Sequence, residues 1–337
     1  MTRRRIMPDL ALLTLITSLA AVFALAVPAL AQSAPGAKTW KVPRTADGHA
    51  DLEGVWNNNT ATPFERPSAS ADKAVFLPSE VAALEKQEAR RFADRPPQPG
   101  SPGGFNEFWF DPPPKVLANG RNSLVIDPPD GRVPPLTQAA QAHLQERQAY
   151  ARLHPADGPE DRPLFDRCLH IGGPPMTPLS YNSNYEIVQG AGYVAILSEM
   201  IHDARVIPTD GRPHLPSSIR QWNGDGRGHW EGDRLVVETT NFTDKTLAYG
   251  VGWPSRFHVD ENLRLVERFT RVDANTIDYQ FTIDDPTVFS KPWTASIPLT
   301  RVTTPVFEYA CQEGNYALTD ILAGARAQER EAAGASQ

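Results

Sequence analysis

The sequence predicts a mainly β protein: an antiparallel meander forming a barrel-like or strongly curved sheet, with an amino-terminal layer of loops and helices and a carboxy-terminal helix. The first observation is the second half of the chain, where short runs of alternating polarity are separated by Gly, Asp, Asn and Pro turns. Such runs are typical of consecutive antiparallel strands. The second is that most of the 32 prolines precede residue 181, which favours loops over long helices there.

The amino terminus has the parts of an export signal. Three arginines at positions 3–5 precede the apolar run "LALLTLITSLAAVFALAVPALA", and Ala29 and Ala31 form an A-x-A cleavage site. We interpret residues 1–31 as a signal peptide and expect a periplasmic or secreted mature protein. The alternative is a membrane anchor, but no charged stop-transfer flank follows the run. "TRRRIM" also fits a twin-arginine signal, so the export route stays open.

The charge of the chain limits its partners. The formal net charge is −7, and loss of residues 1–31 removes three arginines and one aspartate, which makes it −9. An acidic chain without a basic run argues against nucleic acid and anionic membranes. We therefore expect a small-molecule or oligosaccharide partner, no nucleic acid, and no stable membrane insertion after signal cleavage.

The cysteines form an even pair, Cys168 in "FDRCLHIGG" and Cys311 in "FEYACQEGN". In an oxidising compartment such a pair predicts a disulfide, which would tie the middle of the chain to its end. The alternative is a nucleophilic or metal-binding thiol, and the absence of C-x-x-C argues against metal.

The region before the meander is predicted to comprise a linker at 32–50 and a loop-rich layer at 51–180 that packs on the barrel. Its G-x-W triplet at 54–56 opens a short strand. "SEVAALEKQEARRF" predicts a helix with Ser79 as N-cap, and "TQAAQAHLQERQAYARL" a second with Thr137 in that role. Between them lie the loop "DRPPQPGSPGG" and the aromatic cluster "FNEFWF".

The meander is predicted at residues 181–326, followed by a tail at 327–337. We predict its strands at "YEIVQ", "YVAILSEMIHDARVI", "DRLVVETTNF", "NLRLVERFTRV", "TIDYQFTI", "WTASIPLT" and "FEYAC", and the closing helix near "TDILAGARAQEREAA".

Strand parity identifies a first candidate catalytic residue. If Phe269 pairs with Tyr279 across the turn "VDANT", the apolar residues of both strands share one face, and Glu267 shares it, roughly opposite Phe281. A carboxylate against aromatic rings has its charged form destabilised, which suits general acid or base catalysis. The alternatives are a structural salt bridge to Arg271 or another arginine, and a bulge that turns the carboxylate outward.

The segment "EMIHDARVIP" carries the other catalytic candidates. Treated as one strand with the residues before it, it places His202 on an aliphatic face and Asp203 and Arg205 on the opposite face. Either face fits the interior. If the aliphatic face points inward, His202 is a general acid or base or a core histidine. If the opposite face points inward, Asp203 and Arg205 line the cavity, and Arg205 would stabilise negative charge.

Loops supply the candidate substrate-binding residues, because loops at the end of a rigid sheet commonly carry binding groups. Arginines in "TDGRPHLPSSIRQW" would clamp a carboxylate or a hydroxylated ring, and its tryptophan would stack on a sugar or aromatic face. The alternative is an exposed loop with solvated arginines. The candidates are His214, Arg220, Trp222, Tyr181, Asn182 and Glu313.

Sequence motifs of several common mechanisms are missing. The chain has no G-x-S-x-G, no G-x-G-x-x-G after a strand, no P-loop and no H-E-x-x-H, so we expect no cofactor. Its eight histidines show no paired ligand spacing, and we expect no metal.

Two resemblances accompany these patterns. The run from "YNSNYEIVQ" through "MIHDARVIP", "DGRPHLP", "HWEGDRLVVETTNF" and "VERFTRVD" to "EYACQEGNY", within residues 127–325, resembles a group of exported, uncharacterised bacterial proteins. It supplies no activity, so no catalytic role is transferred. Separately, G-x-W before a β-meander resembles the lipocalin and calycin pattern, although here the triplet lies more than 100 residues before the main meander.

Two functions fit the sequence. The first is an exported cofactor-free enzyme, a lyase or hydrolase of a carbohydrate or aromatic small molecule, with Glu267 or His202 as general acid or base and Arg205 or Arg220 stabilising negative charge. The second is a periplasmic lipocalin-like binding protein whose calyx holds a small, partly apolar ligand. The density of acid, base and arginine groups favours the enzyme, because in an apolar carrier they would only be desolvated.

Overall fold

Ten strands and three α-helices form the part of the chain that the computed structural model describes, residues 40–93, 111–169, 173–179, 181–245 and 261–335. The described residues from Lys41 onward belong to one unit. The predicted signal peptide, the loop "DRPPQPGSPGG" and the cluster "FNEFWF" lie outside these ranges.

The strands are β1 (Gly54–Asn57), β2 (Val125–Asp127), β3 (Asn184–Gly190), β4 (Tyr193–Ser198), β5 (Ala204–Pro208), β6 (Asp225–Glu231), β7 (Arg234–Thr240), β8 (Arg264–Arg271), β9 (Thr276–Asp284) and β10 (Trp293–Val302). The helices are α1 (Pro78–Phe92), α2 (Gln138–Leu153) and α3 (Ala317–Ala335).

All strands belong to one antiparallel sheet in the order β5-β4-β3-β1-β10-β9-β8-β7-β6, with β2 paired to β10. The G-x-W strand β1 lies in the middle, between β3 and β10. It therefore joins the β3–β5 meander to the β6–β10 meander. Strands β1 and β2, both within residues 51–180, are thus part of the sheet itself.

The sheet is strongly curved, because its two edge strands approach each other. An ideal Cβ on Gly228 of β6 would lie 3.0 Å from Thr209 Cγ2 and 3.1 Å from Ile207 Cγ2, at the end of β5. Glycine at this position permits that close approach. No backbone ladder joins β5 to β6 within the described ranges, so the sheet is open at this seam. The predicted fold class is confirmed.

The concave face carries the main core. Phe269 pairs with Tyr279 and Glu267 with Phe281, which confirms the predicted register of β8 and β9. Alternate residues of the strands fill this face and are almost completely buried: Trp56, Tyr185, Ile187, Leu235, Val237, Leu265, Phe269, Ile277, Tyr279, Phe281, Ile297 and Leu299. Their removal from water is the main force that holds the curved sheet together.

The helix ends agree with the prediction in part. Thr137 caps α2, since its Oγ1 accepts a hydrogen bond of 3.1 Å from Ala140 N. The prediction of Ser79 as the N-cap of α1 is wrong: the helix begins at Pro78, and Leu77 is the N-cap residue. Proline suits the first helical position because its missing N–H has no partner there in any case.

The predicted strand at 193–207 is two strands. β4 ends at Ser198, the chain reverses through residues 199–203, and Ser198 N donates to Asp203 O at 2.8 Å. Ile201 and His202 adopt left-handed φ angles of 63° and 49° in this reversal. The "FEYAC" segment is not a strand, whereas β6 is an additional one.

The carboxy-terminal helix is present, and it extends to Ala335 through most of the predicted tail. None of the helices in the described ranges is long and apolar enough to cross a membrane.

Candidate functional site

A buried ion pair lies across the concave face. Arg205 reaches from edge strand β5 to Glu267 on β8, with Nη1 to Oε1 at 3.1 Å and Nη2 to Oε2 at 2.5 Å. The side chain of Arg205 is 8% exposed and that of Glu267 is fully buried. A forked guanidinium matches a carboxylate in this bidentate arrangement. Strand parity left three arrangements open for Glu267: a catalytic carboxylate, a salt bridge to Arg271 or another arginine, and a carboxylate turned outward by a bulge. The geometry is that of a salt bridge to an arginine other than Arg271.

A tyrosine completes this pair. Tyr279 Oη donates to Glu267 Oε1 at 2.9 Å and accepts from Met176 N at 3.0 Å. Burial, and then the charge of Glu267, raise the pKa of Tyr279 well above its ordinary value. The carboxylate thus accepts three hydrogen bonds, and the hydroxyl fastens the segment at 173–179 to the sheet.

Arg271, the other arginine that parity placed near Glu267, serves a different contact. It donates to the backbone oxygens of Asp51 and Ala274 at 2.7 and 3.0 Å and lies 3.4 Å from the Asp51 carboxylate. Its guanidinium also lies over the Trp56 ring, 5.5 Å from the centroid. The charge of Arg271 is therefore matched without Glu267.

Next to the ion pair is a polar group with unmatched hydrogen-bonding atoms. The side chain of Asn58, which follows β1, is fully buried, and neither its Oδ1 nor its Nδ2 has a hydrogen-bond partner in the described part of the chain. The same holds for the Oγ of Ser198, at the end of β4. Buried polar atoms of this kind are uncommon and normally have a reason.

Tyr185 connects this group to the ion pair. Burial raises the pKa of Tyr185, and the charge of Glu267 adds to this rise. Polar side-chain contact with Asn58, the charge of Arg205 and polar side-chain contact with Ser198 lower the pKa in part. The side chains of Asn58 and Ser198 thus lie beside the Tyr185 hydroxyl without reaching the geometry of a hydrogen bond. We call these three residues the Asn58 cluster.

Thr239 of β7 is a further unmatched residue on the concave face. It is fully buried, and its Oγ1 has no hydrogen-bond partner among the described residues. An ideal Cβ on Gly226 would lie 3.5 Å from this oxygen and 3.5 Å from Ile207. The seam between β5 and β6 therefore also has unused hydrogen-bonding capacity.

His202 and Asp203 lie in the reversal between β4 and β5, away from the ion pair. His202 is exposed, and its Nδ1 lies 3.0 Å from Tyr309 O. Asp203 closes the reversal through its backbone oxygen. The expectation that His202 and Asp203 lie on opposite faces of a single strand is wrong, because the chain reverses between β4 and β5. This reversal lets the aliphatic face of β4 and Arg205 of β5 both point inward.

The disulfide and Tyr181, one of the predicted binding residues, belong to a second cluster. Cys168 and Cys311 are bonded with an S–S distance of 2.02 Å. Tyr181, Tyr309 and Cys311 pack on the small apolar core of Leu179, Met200 and Ile201. Burial, and then Tyr181, raise the pKa of Tyr309. This cluster covers the reversal of the chain after β4.

Asn182 and Glu313 lie in the irregular segments around that cluster. Asn182 adopts a left-handed φ of 53° in the turn before β3, and Glu313 is exposed. Their placement fits a turn and a solvated loop.

The remaining predicted binding residues lie in the loop 209–224 between β5 and β6. His214 Nδ1 is 2.9 Å from Asp225 Oδ2, and Arg227 lies 2.6 Å from Asp225 Oδ1. Arg220 donates to the backbone oxygen of Glu261 at 3.0 Å and pairs with its carboxylate at 3.0 Å. Trp222 is half-buried in the same loop. These contacts fasten the loop 209–224 to β6 and β7.

Of the predicted catalytic and binding residues, the structure joins Glu267 and Arg205 directly. Sequence reasoning missed Tyr279 and the Asn58 cluster as site residues. A signal existed for two of them: Asn58 shares strand parity with Trp56, and Ser198 shares parity with Val194 and Ile196 on the aliphatic face of β4.

Neither a metal site nor a relative provides a further indication of function. The described residues contain no group of three or more His, Cys, Asp or Glu side chains that could hold a metal ion. Comparisons of the chain with models of protein families, with curated proteins and with solved structures gave no match. The function must therefore be inferred from the site itself.

Proposed function

We propose that this protein is an exported binding protein that holds a small, partly apolar ligand on the concave face of its sheet. The observation that carries the proposal is the Asn58 cluster, where a fully buried asparagine and a buried serine have unmatched polar atoms beside Tyr185. Binding sites for small molecules are mostly apolar with a few placed polar groups, and this face has that composition.

The ion pair favours binding over catalysis. A general base needs an oxygen that can reach a substrate proton, but both oxygens of Glu267 accept hydrogen bonds from Arg205, and one also from Tyr279. His202, the other candidate acid or base, is exposed and lies outside this network. A fixed, neutral ion pair shapes a binding site and supplies no free acid or base.

The irregular segments beside Tyr279 and Ser198 offer a route for entry. Residues 173–179 and 199–203 have no regular strand or α-helix, and the disulfide fastens the neighbouring segments. Irregular surface segments open at lower free energy than strands of a core. We expect the ligand to enter between these segments, with release of the hydrogen bond from Met176 N to Tyr279 Oη.

The experiment is affinity-selection mass spectrometry with a library of sugars, phenols, carboxylates and amides. Wild-type protein is compared with Asn58→Leu, which replaces both polar atoms with methyl groups on the same branched skeleton, and with Asn275→Leu in the exposed turn between β8 and β9 as the control. Compounds retained by the wild type and the control but not by Asn58→Leu would support the proposal.

Two results would contradict it. Retention of the same compounds by all three proteins would place the ligand away from Asn58. New masses formed from library compounds would show turnover. This result would favour the lyase or hydrolase function, which the sequence pattern favours over binding alone.

A further inference from the structure

We infer that the ligand of the concave face is electrically neutral and presents a hydrogen-bond donor beside an acceptor, as a carboxamide or lactam does. This inference rests on the proposed binding function and names the chemistry of its ligand. It follows from the charges, the unmatched atoms and the rings of the face.

The charges nearest the Asn58 cluster are already matched, since the charged groups that act on Tyr185 are Arg205 and Glu267. Arg205 and Glu267 satisfy each other, and Arg271 is held by the carboxylate and backbone oxygens around Asp51. A charged ligand would lose its hydration and find no free counterion here. Because burial of an unpaired charge is far more costly than burial of a neutral polar group, a neutral ligand is favoured.

The unmatched atoms define the polar part of the ligand. Asn58 has both an unmatched carbonyl oxygen and an unmatched amide nitrogen, so it can accept one hydrogen bond and donate another side by side. Exchange of the two atoms by rotation of the amide leaves this donor and acceptor pair intact. A carboxamide or lactam offers the complementary pair in one plane.

The surroundings of Asn58 define the rest of the ligand. Tyr185, which lies beside Asn58, is 1% exposed, so an aromatic ring forms part of the neighbouring surface. Flat aromatic surfaces prefer stacked or edge-on contact with other rings. The Ser198 hydroxyl can rotate to donate or accept as the ligand requires.

The test uses four probes with the same ring: benzamide, benzoate, benzylammonium and toluene. Their dissociation constants are measured by NMR titration of the wild type, Asn58→Leu and the control Asn275→Leu. We expect benzamide to bind the wild type and the control about tenfold more tightly than each other probe, as two added hydrogen bonds would allow. In Asn58→Leu the preference for benzamide over toluene should disappear.

Several results would overturn the inference while the binding function stands. Tighter binding of benzoate or benzylammonium would show that the site selects charge, and equal binding of toluene would show that Asn58 is not used. If no probe binds while the library yields a ligand that requires Asn58, the amide chemistry is wrong. If the library also yields none, the proposed function itself fails.

Discussion

Asn58 and Asn122 are both fully buried asparagines, but they differ in their hydrogen bonds. Asn122, in the amino-terminal loops, donates to Lys73 O at 2.7 Å and accepts from Arg66 Nε at 3.2 Å. Both polar atoms of Asn58 lack a partner among the described residues. The loop asparagine therefore stabilises its surroundings, whereas Asn58 lowers stability unless something binds it.

The same contrast exists between the two polar regions of the concave face. In the ion pair, the Glu267 carboxylate accepts three hydrogen bonds from Arg205 and Tyr279. In the Asn58 cluster, the polar atoms of Asn58 and Ser198 are unmatched. The first region behaves as part of the core, and the second has capacity for a ligand.

The largest effect is expected from Arg205→Ala. It leaves the buried Glu267 carboxylate without its cation, and loss of one partner of a buried pair typically destabilises by about 3–5 kcal/mol. Urea unfolding of purified protein measures the change. Arg212→Ala, which breaks the exposed pair with Asp210, is the control and should leave the unfolding midpoint unchanged. Equal effects of the two variants would show that the ion pair is not part of the core.

A somewhat smaller loss is expected when the disulfide is removed. Cys168→Ala with Cys311→Ala should destabilise by about 2–4 kcal/mol, mainly because the unfolded chain gains freedom. The Arg205 contacts should survive, since neither cysteine takes part in them. Thermal unfolding and the chemical shifts of the Arg205 and Tyr279 signals test both statements. Loss of these signals at temperatures where the variant is folded would mean that the second cluster holds the ion pair in place.

Tyr279→Phe is expected to destabilise by about 1–3 kcal/mol, because it leaves Met176 N and one oxygen of Glu267 each short of a partner. It should also alter the response to alkali. Burial raises the pKa values of Tyr279 and Tyr185, so the unfolded state ionises first and stability falls above pH about 10. Unfolding free energies from pH 8 to 11 should fall less steeply in the variant, and an unchanged slope would contradict this.

The smallest effects compare two buried serines. Ser183 accepts from Leu179 N at 3.1 Å and donates to Leu179 O at 3.0 Å, whereas Ser198 Oγ is unmatched. Ser183→Ala should therefore destabilise by about 1 kcal/mol. Ser198→Ala should leave stability unchanged or raise it. If the two variants lose equal stability, Ser198 has a partner and belongs to the core.

Local sequence patterns predict much of this fold, since strand alternation and turn residues depend on neighbours in the chain. They predict the register of β8 and β9 and the inward position of Glu267. They do not predict that Arg205 is its partner, because the reversal at 199–203 contains no glycine or proline. Ile201, a β-branched residue, adopts the left-handed φ there, which such residues rarely do.

The position of β1 and the site around it depend on contacts between distant parts of the chain. Strand β1 is inserted between β3 and β10, more than 100 residues away in sequence. The pairing of Trp56 with Tyr185 brings Asn58 beside the Tyr185 hydroxyl. No spacing within one segment of the sequence indicates this arrangement.

The central claim is that the polar atoms of Asn58 bind a ligand and that, without the ligand, their burial lowers the stability of the folded protein. The most direct test is the free energy of unfolding of ligand-free Asn58→Leu and Asn122→Leu relative to wild type. We predict that Asn58→Leu is as stable as the wild type or more stable, while Asn122→Leu loses about 1–3 kcal/mol with its hydrogen bonds. If both variants lose stability alike, the Asn58 amide is matched within the folded protein, and the central claim is wrong.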